Sequence, residues 1–130
     1  MIEEALGSHR SGEGKFNVSG PDLNVAPRQA VSLTLAVNEL ATNALKYGAL
    51  SSSEGGVDIS WSTLANEIST FRFLWQERGG PRLVMPTRQG FGSRVIKEFM
   101  ANDFGGTVRL VYEPDGVICE LKSPLANLPA

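Results

Sequence analysis

The sequence predicts an α+β fold, a two-layer sandwich in which helices cover one face of a mostly antiparallel, mixed sheet. Three observations predict it. The elements read strand, helix, strand, strand, loop, helix, strand, strand. Two alternating strands sit next to each other on both sides of a loop-plus-helix, which favours hairpin pairing over a doubly wound βαβ arrangement. The 130 residues, 42% hydrophobic and 20% charged, suit one ordinary compact domain. The domain is drawn at residues 15–124, with residues 1–14 as a flexible N-terminal segment and 125–130 as a C-terminal tail.

Each element has a local reason. GSHRSGEG (residues 7–14) is rich in glycine and serine and predicts a loop. KFNVSG alternates Phe16 and Val18 and predicts a short strand. Pro27 suits the first turn of a helix, and Gly48 suits its end, so a long helix is predicted from about Pro27 to Tyr47. VDISWS puts Val57, Ile59 and Trp61 on one face, and STFRFLWQE does the same with Phe71, Phe73 and Trp75; ANE supplies the turn between them. Residues 79–92 hold two prolines and four glycines and predict a loop. SRVIKEFMAN reads as a helix that buries Val95, Ile96, Phe99 and Met100. GTVRLVYEPDGVICELK reads as a hairpin turning at EPDG, with Thr107, Arg109 and Val111 on one side and Val108, Leu110 and Tyr112 on the other.

Composition excludes several classes. The net charge is −2 with scattered basic residues, which gives no footprint for nucleic acid. The longest nearly apolar run, AVSLTLAV (residues 30–37), is too short to cross a bilayer, and the start MIEEALG has no signal-peptide pattern. A single cysteine, Cys119, excludes an internal disulfide and fits a reducing compartment. The expectation is a soluble, cytoplasmic chain that contacts neither membrane nor nucleic acid, either a whole small protein or one domain of a larger one.

Three stretches carry candidate chemistry. In NELATNALKYGAL (residues 38–50), a turn of about 100° per residue collects Leu33, Ala36, Val37, Leu40, Ala41 and Ala44 on one broad arc that should pack on the sheet. Glu39, Asn43 and Lys46 share an adjacent stripe, while Asn38 lies about 100° from Glu39. Taken alone, the stripe is a solvated face with an i,i+7 charge pair. Beside a ligand pocket, Asn43 offers a neutral oxygen for a hard cation, Lys46 a charge for phosphate, and Glu39 a base or hydrogen-bond acceptor. LWQERGGP (residues 74–81) leaves a strand with Glu77 at its exit. A carboxylate there can accept from an exocyclic amine, and Gly79 lets a flat ring approach the backbone. QGFGSRVI (residues 89–96) sets glycine-x-glycine before a helix, where backbone N–H groups and the helix start favour an anion. Ser93 can cap that helix, and Arg88 can reach the same phosphates. In isolation each is also an ordinary strand end or turn, and neither the P-loop nor the Rossmann spacing is present.

Together and in this order, the stretches resemble the ATP-binding catalytic domain of sensor histidine kinases, within the superfamily that includes gyrase, Hsp90 and MutL. NELATNALKYGAL resembles the N-box, WQERGGP a first glycine box with glutamate for the usual aspartate, QGFGSRVI the second glycine box, and VYEPDGVICELKSP the closing hairpin. The W-x-E of Trp75 and Glu77, the GGP and the GFGSRVI are similar to the HWE subgroup. The resemblance covers about residues 15–124 and implies a Bergerat-type sandwich. It implies that Asn43 holds magnesium on the ATP phosphates, and that Lys46 and Tyr47 line the nucleotide. It implies that Glu77 holds the adenine amine, with Gly79 and Gly80 giving the ring room. Arg88, Gly90, Phe91, Gly92 and Ser93 would border the phosphates, and residues 81–89 would form a short lid. Glu39 would orient or assist the acceptor.

Two features depart from the family. The HWE subgroup carries a histidine where this chain has Asn38, and the only histidine, His9, lies in a glycine-serine loop that does not suit a helical phosphoacceptor. The resemblance therefore implies a domain that transfers the γ-phosphoryl group of ATP to a histidine on a separate dimerisation segment, for relay to a response regulator receiver domain. Two alternatives stand beside it. One is an ATP hydrolase switch with Glu39 activating water, and the other is a non-catalytic module that binds nucleotide or a partner.

Overall fold

A computed structural model describes Ile2 and residues 16–65, 67–80 and 91–129, with side chains from residue 96 onward in the last segment. The described elements are β1 (Phe16–Ser19), α1 (Pro27–Tyr47), β2 (Gly56–Ala65), β3 (Ser69–Arg78), α2 (Phe91–Phe104), β4 (Thr107–Glu113) and β5 (Gly116–Pro124). Short 3-10 turns follow α1 at Ala49–Ser51 and β5 at Leu125–Asn127. The five strands form one sheet in the order β1-β2-β3-β5-β4. Only β1 and β2 are parallel, joined through α1, and the other three pairings are antiparallel. This is the α+β mixed sheet expected from the element order.

The period-2 pattern sets which face is covered. Val57, Ile59 and Trp61 on β2, Phe71, Phe73 and Trp75 on β3, and Cys119 and Leu121 on β5 are all buried. Against them lie Leu33, Ala36, Val37, Leu40, Ala41 and Ala44 of α1, the arc read from the sequence, together with Ile96, Met100 and Phe104 of α2. Phe104 stacks on Phe71 with ring centroids 5.8 Å apart. Opposite the helices the sheet is polar, and Arg72 pairs with Glu120 across β3 and β5 at 2.6 Å.

α1 begins at Pro27, as expected. Ala26 offers no side-chain cap; instead its N–H donates to Gln29 Oε1 at 2.8 Å. Gln29, itself buried, donates through Nε2 to Asn127 O at 3.0 Å. Ser32 Oγ donates to Asp103 Oδ2, so the first turns of α1 meet the last turn of α2.

α2 differs from the reading of the sequence. It starts at Phe91, two residues before Ser93, and runs on to Phe104. Gly92 is therefore inside its first turn and Ser93 does not occupy the cap position. Phe99 is 50% exposed, while Phe104 takes a core place. The apolar arc of α2 turns toward the sheet through Met100 and Phe104, which leaves Phe99 on the outer side of the helix pair. Ile2, in the segment read as flexible, is fully buried and its N–H donates to Leu23 O at 3.1 Å. Residues 3–15, His9 among them, lie outside the described residues. Beyond β5, Leu128 is buried and Asn127 Nδ2 donates to Phe104 O at 2.9 Å.

Candidate nucleotide site

The N-box stripe sits on the side of α1 turned toward α2. Glu39 and Asn43 lie within about 20° of Ser32 around the helix, and Ser32 contacts Asp103 of α2. Both are half-buried, which sets this part of the stripe at the edge of the core rather than on a fully solvated face. Lys46 and Tyr47, in the last turn, are exposed. Asn38 is exposed on another side, and its backbone carbonyl accepts from Thr42 Oγ1 at 2.8 Å.

Glu77 lies deeper than a strand exit suggests. It continues the inward series Phe71, Phe73, Trp75 on β3 and is 4% exposed. Its Oε1 accepts from the backbone N–H of Ala49 at 3.0 Å, and its Oε2 accepts from the indole Nε1–H of Trp75 at 3.2 Å. Each carboxylate oxygen has two lone pairs, so one acceptor direction remains on each. The carboxylate thus ties the end of β3 to the turn after α1, the helix that carries Glu39, Asn43 and Lys46.

Gly48 makes that tie sterically possible. A Cβ at Gly48 would stand 2.4 Å from Glu77 Oε1. Gly79 has φ +66°, and a side chain there would meet Glu54 O at 2.7 Å. At Gly80 it would meet Ala49 Cα at 2.5 Å. The clearance these two glycines give is toward residues 48–55, so the chain leaving β3 lies close against the segment after α1.

Of the sequence-predicted residues, the fold brings Glu39 and Asn43 to one helix face and sets Glu77 under the exit of the same helix. Phe91, Gly92 and Ser93 form the backbone of α2's first turn. Arg88, Gly90 and the lid at 81–89 lie outside the described residues. Three partners were missed from sequence. Gly48 was read only as a helix stop, Trp75 as core and as part of the W-x-E motif but not as a donor to Glu77, and the Ala49 N–H not at all. The i,i+2 spacing of Trp75 and Glu77 held the signal for one of them, because two residues apart on a strand means one face.

Among the described residues no three His, Cys, Asp or Glu side chains cluster as a metal cage. A single neutral oxygen from Asn43 fits a magnesium ion that keeps its waters and binds mainly through substrate phosphates.

Comparison with known proteins finds relatives among the histidine kinases. No family model matches the chain. A blue-light-activated histidine kinase of Brucella anthropi is 39% identical over 127 residues, 96% of this chain and 26% of the relative. The chain thus spans about a quarter of the length of the curated relatives it matches. Among solved structures, the histidine kinase domain of the Erythrobacter litoralis blue-light activated histidine kinase EL346 superposes with a TM-score of 0.69 at 22% identity, over 96% of this chain and 58% of that one. Histidine kinase ThkA, solved in complex with the response regulator protein TrrA, superposes with a TM-score of 0.61 at 13% identity, over 97% of this chain and 39% of that one. Among the described residues, no helix is long and apolar enough to cross a membrane. By sequence the chain is similar to about a quarter of the length of known histidine kinases, and its fold is that of their solved catalytic domains.

Proposed function

We propose that this domain binds ATP with magnesium and donates the γ-phosphoryl group to a histidine on a separate dimerisation segment. From there the group passes to an aspartate of a response regulator receiver domain. The observation that carries this reading is the buried Glu77 carboxylate, held beneath the exit of the helix that bears Glu39, Asn43 and Lys46. In this reading Glu77 accepts from the adenine amine beside Gly79 and Gly80. Lys46 and Tyr47 line the phosphate side, and the backbone of Phe91, Gly92 and Ser93 presents the start of α2 to the anion, while Arg88 and Gly90 are assigned to the same phosphates from the sequence resemblance alone. Asn43 holds the magnesium, which neutralises phosphate charge when bound.

The acceptor imidazole nitrogen attacks the γ-phosphorus, a P–N bond forms, the bridging P–O bond breaks, and ADP leaves. Glu39 orients the acceptor. The protein itself contributes position and charge rather than covalent chemistry. The compartment that suits this relay is the cytoplasm.

The test uses the purified chain with magnesium-ATP and a helical-hairpin domain carrying the acceptor histidine. Phosphorylation of that histidine is expected, and Asn43→Ala should abolish magnesium-dependent ATP binding by calorimetry. Phosphate release without acceptor would favour a hydrolase switch instead. No ATP binding at millimolar magnesium would refute both readings.

A further inference from the structure

We propose that Trp75 is a positioning residue for base recognition: its indole N–H fixes the rotation of the Glu77 carboxylate, so that the remaining lone pairs select a ligand carrying an amino group. The inference rests on the reading of Glu77 as the base acceptor. The terminal torsion of a glutamate is soft and roughly two-fold, so a carboxylate held by one donor can still rotate. Here it has two donors on different oxygens, Ala49 N–H on Oε1 and Trp75 Nε1–H on Oε2. The indole is itself immobilised. Trp75 is fully buried, and its ring meets Phe16 edge-on with centroids 6.2 Å apart at 65°. Its donor direction is therefore set by the core.

A carboxylate fixed in this way presents acceptors only. An amine donor matches it, whereas a base lacking the amine leaves its lone pairs unanswered in a buried place. Because the acceptor is already oriented, little rotamer freedom is lost on binding. Trp75 thus acts through Glu77 and without touching the nucleotide.

The experiment compares Trp75→Phe with the unmutated 130-residue chain and with Trp61→Phe. Trp61 is a second buried indole, whose Nε1–H donates to Pro21 O at 2.6 Å away from Glu77. Calorimetry reads the affinity for ATP and for purine riboside triphosphate, which lacks the 6-amino group. The unmutated chain should prefer ATP. Trp75→Phe should reduce that preference about three- to tenfold, the size of a weakened bond to a charged group, while binding the analogue nearly as before. Trp61→Phe should leave the ratio unchanged.

An unchanged ratio in Trp75→Phe, or an equal loss for both nucleotides, overturns the inference and leaves the ATP-binding reading intact. Absence of ATP binding, or of any preference in the unmutated chain, overturns the underlying reading as well. If Trp75→Phe does not fold, the Trp75 indole proton resonance of the unmutated chain decides. It should move on adding ATP and not on adding the analogue, and an equal response to both overturns the inference.

Discussion

Gly48→Ala is expected to destabilise the domain through Glu77. The backbone at Gly48 has φ −118°, outside the left-handed region that favours glycine, so a positive-φ penalty is not the cause. The cause is contact. The new methyl would start 2.4 Å from Glu77 Oε1 and must open to at least 3.0 Å. Moving Glu77 Oε1 away from Gly48 stretches the 3.0 Å bond from Ala49 N–H beyond hydrogen-bonding range. Losing a bond to a charged, buried group costs about 1.5–3 kcal/mol. Replacing glycine returns about 0.4–1 kcal/mol through the unfolded chain. The net is a loss of about 1–2 kcal/mol, or about 3–8 °C in Tm for a domain of this size.

Urea denaturation of four proteins measures it: the unmutated chain, Gly48→Ala, Glu77→Ala, and the double variant. In the Glu77→Ala background the methyl meets no carboxylate and keeps only a 3.2 Å approach to Ala44 Cα, so Gly48→Ala should cost about 1–2 kcal/mol less than in the unmutated chain. The coupling between the two positions should be about 1–2 kcal/mol. Equal destabilisation by Gly48→Ala in both backgrounds would refute the contact as the cause.

Three further outcomes are expected. Phe104→Ala should cost about 3–5 kcal/mol in denaturant unfolding, because the ring is fully buried against Phe71 and its loss leaves a cavity between α2 and β3. Removing residues 125–130 should lower stability by about 1.5–3 kcal/mol from Leu128 alone, with a further loss from the Asn127 bonds, measured by the same assay. Burial pushes the Cys119 thiol from its ordinary 9.0 up to about 12. Below pH 9 both states keep the proton; above it the unfolded chain releases its proton first, so stability falls as pH rises from 9 toward 12, by about 1.4 kcal/mol per unit. Cys119→Ala should flatten that part of the stability–pH curve, and a slope identical to the unmutated chain would contradict it.

Most of the sheet and α1 could be read from sequence because their signals are local and periodic. Alternation placed Val57, Ile59 and Trp61 and then Phe71, Phe73 and Trp75, and Pro27 and Gly48 bracketed α1. α2 was harder. Its apolar residues fit more than one arc, and the choice between Phe99 and Phe104 depended on how α1 and the sheet pack against it, which no single segment contains. The site divided the same way. Asn43 and Glu39 were legible because their helix face follows from spacing. The partners of Glu77 were not, since Gly48 and Ala49 approach it only when β3 and the exit of α1 are folded together. Their distance in sequence, 28 residues from Ala49 to Glu77, hides the contact.

The donor pair also decides which substitution at Glu77 is conservative. Glutamine has nearly the same shape as glutamate, but one of its two terminal groups donates rather than accepts. Ala49 N–H points at one position and Trp75 Nε1–H at the other. Whichever way the amide is turned, its NH2 faces a buried donor, and one of the two N–H groups is left without an acceptor. Glu77→Gln therefore removes a hydrogen bond and adds a donor–donor contact, where an ordinary surface Glu→Gln change does neither. Aspartate keeps both acceptors but withdraws them by one methylene, away from Ala49 N–H and toward the strand. Glu77→Asp thus lengthens the bond to Ala49, while also relieving the close approach at Gly48. Glutamate at 77 and glycine at 48 are for that reason one structural unit: the longer acid reaches the turn after α1 only because the residue above it has no side chain.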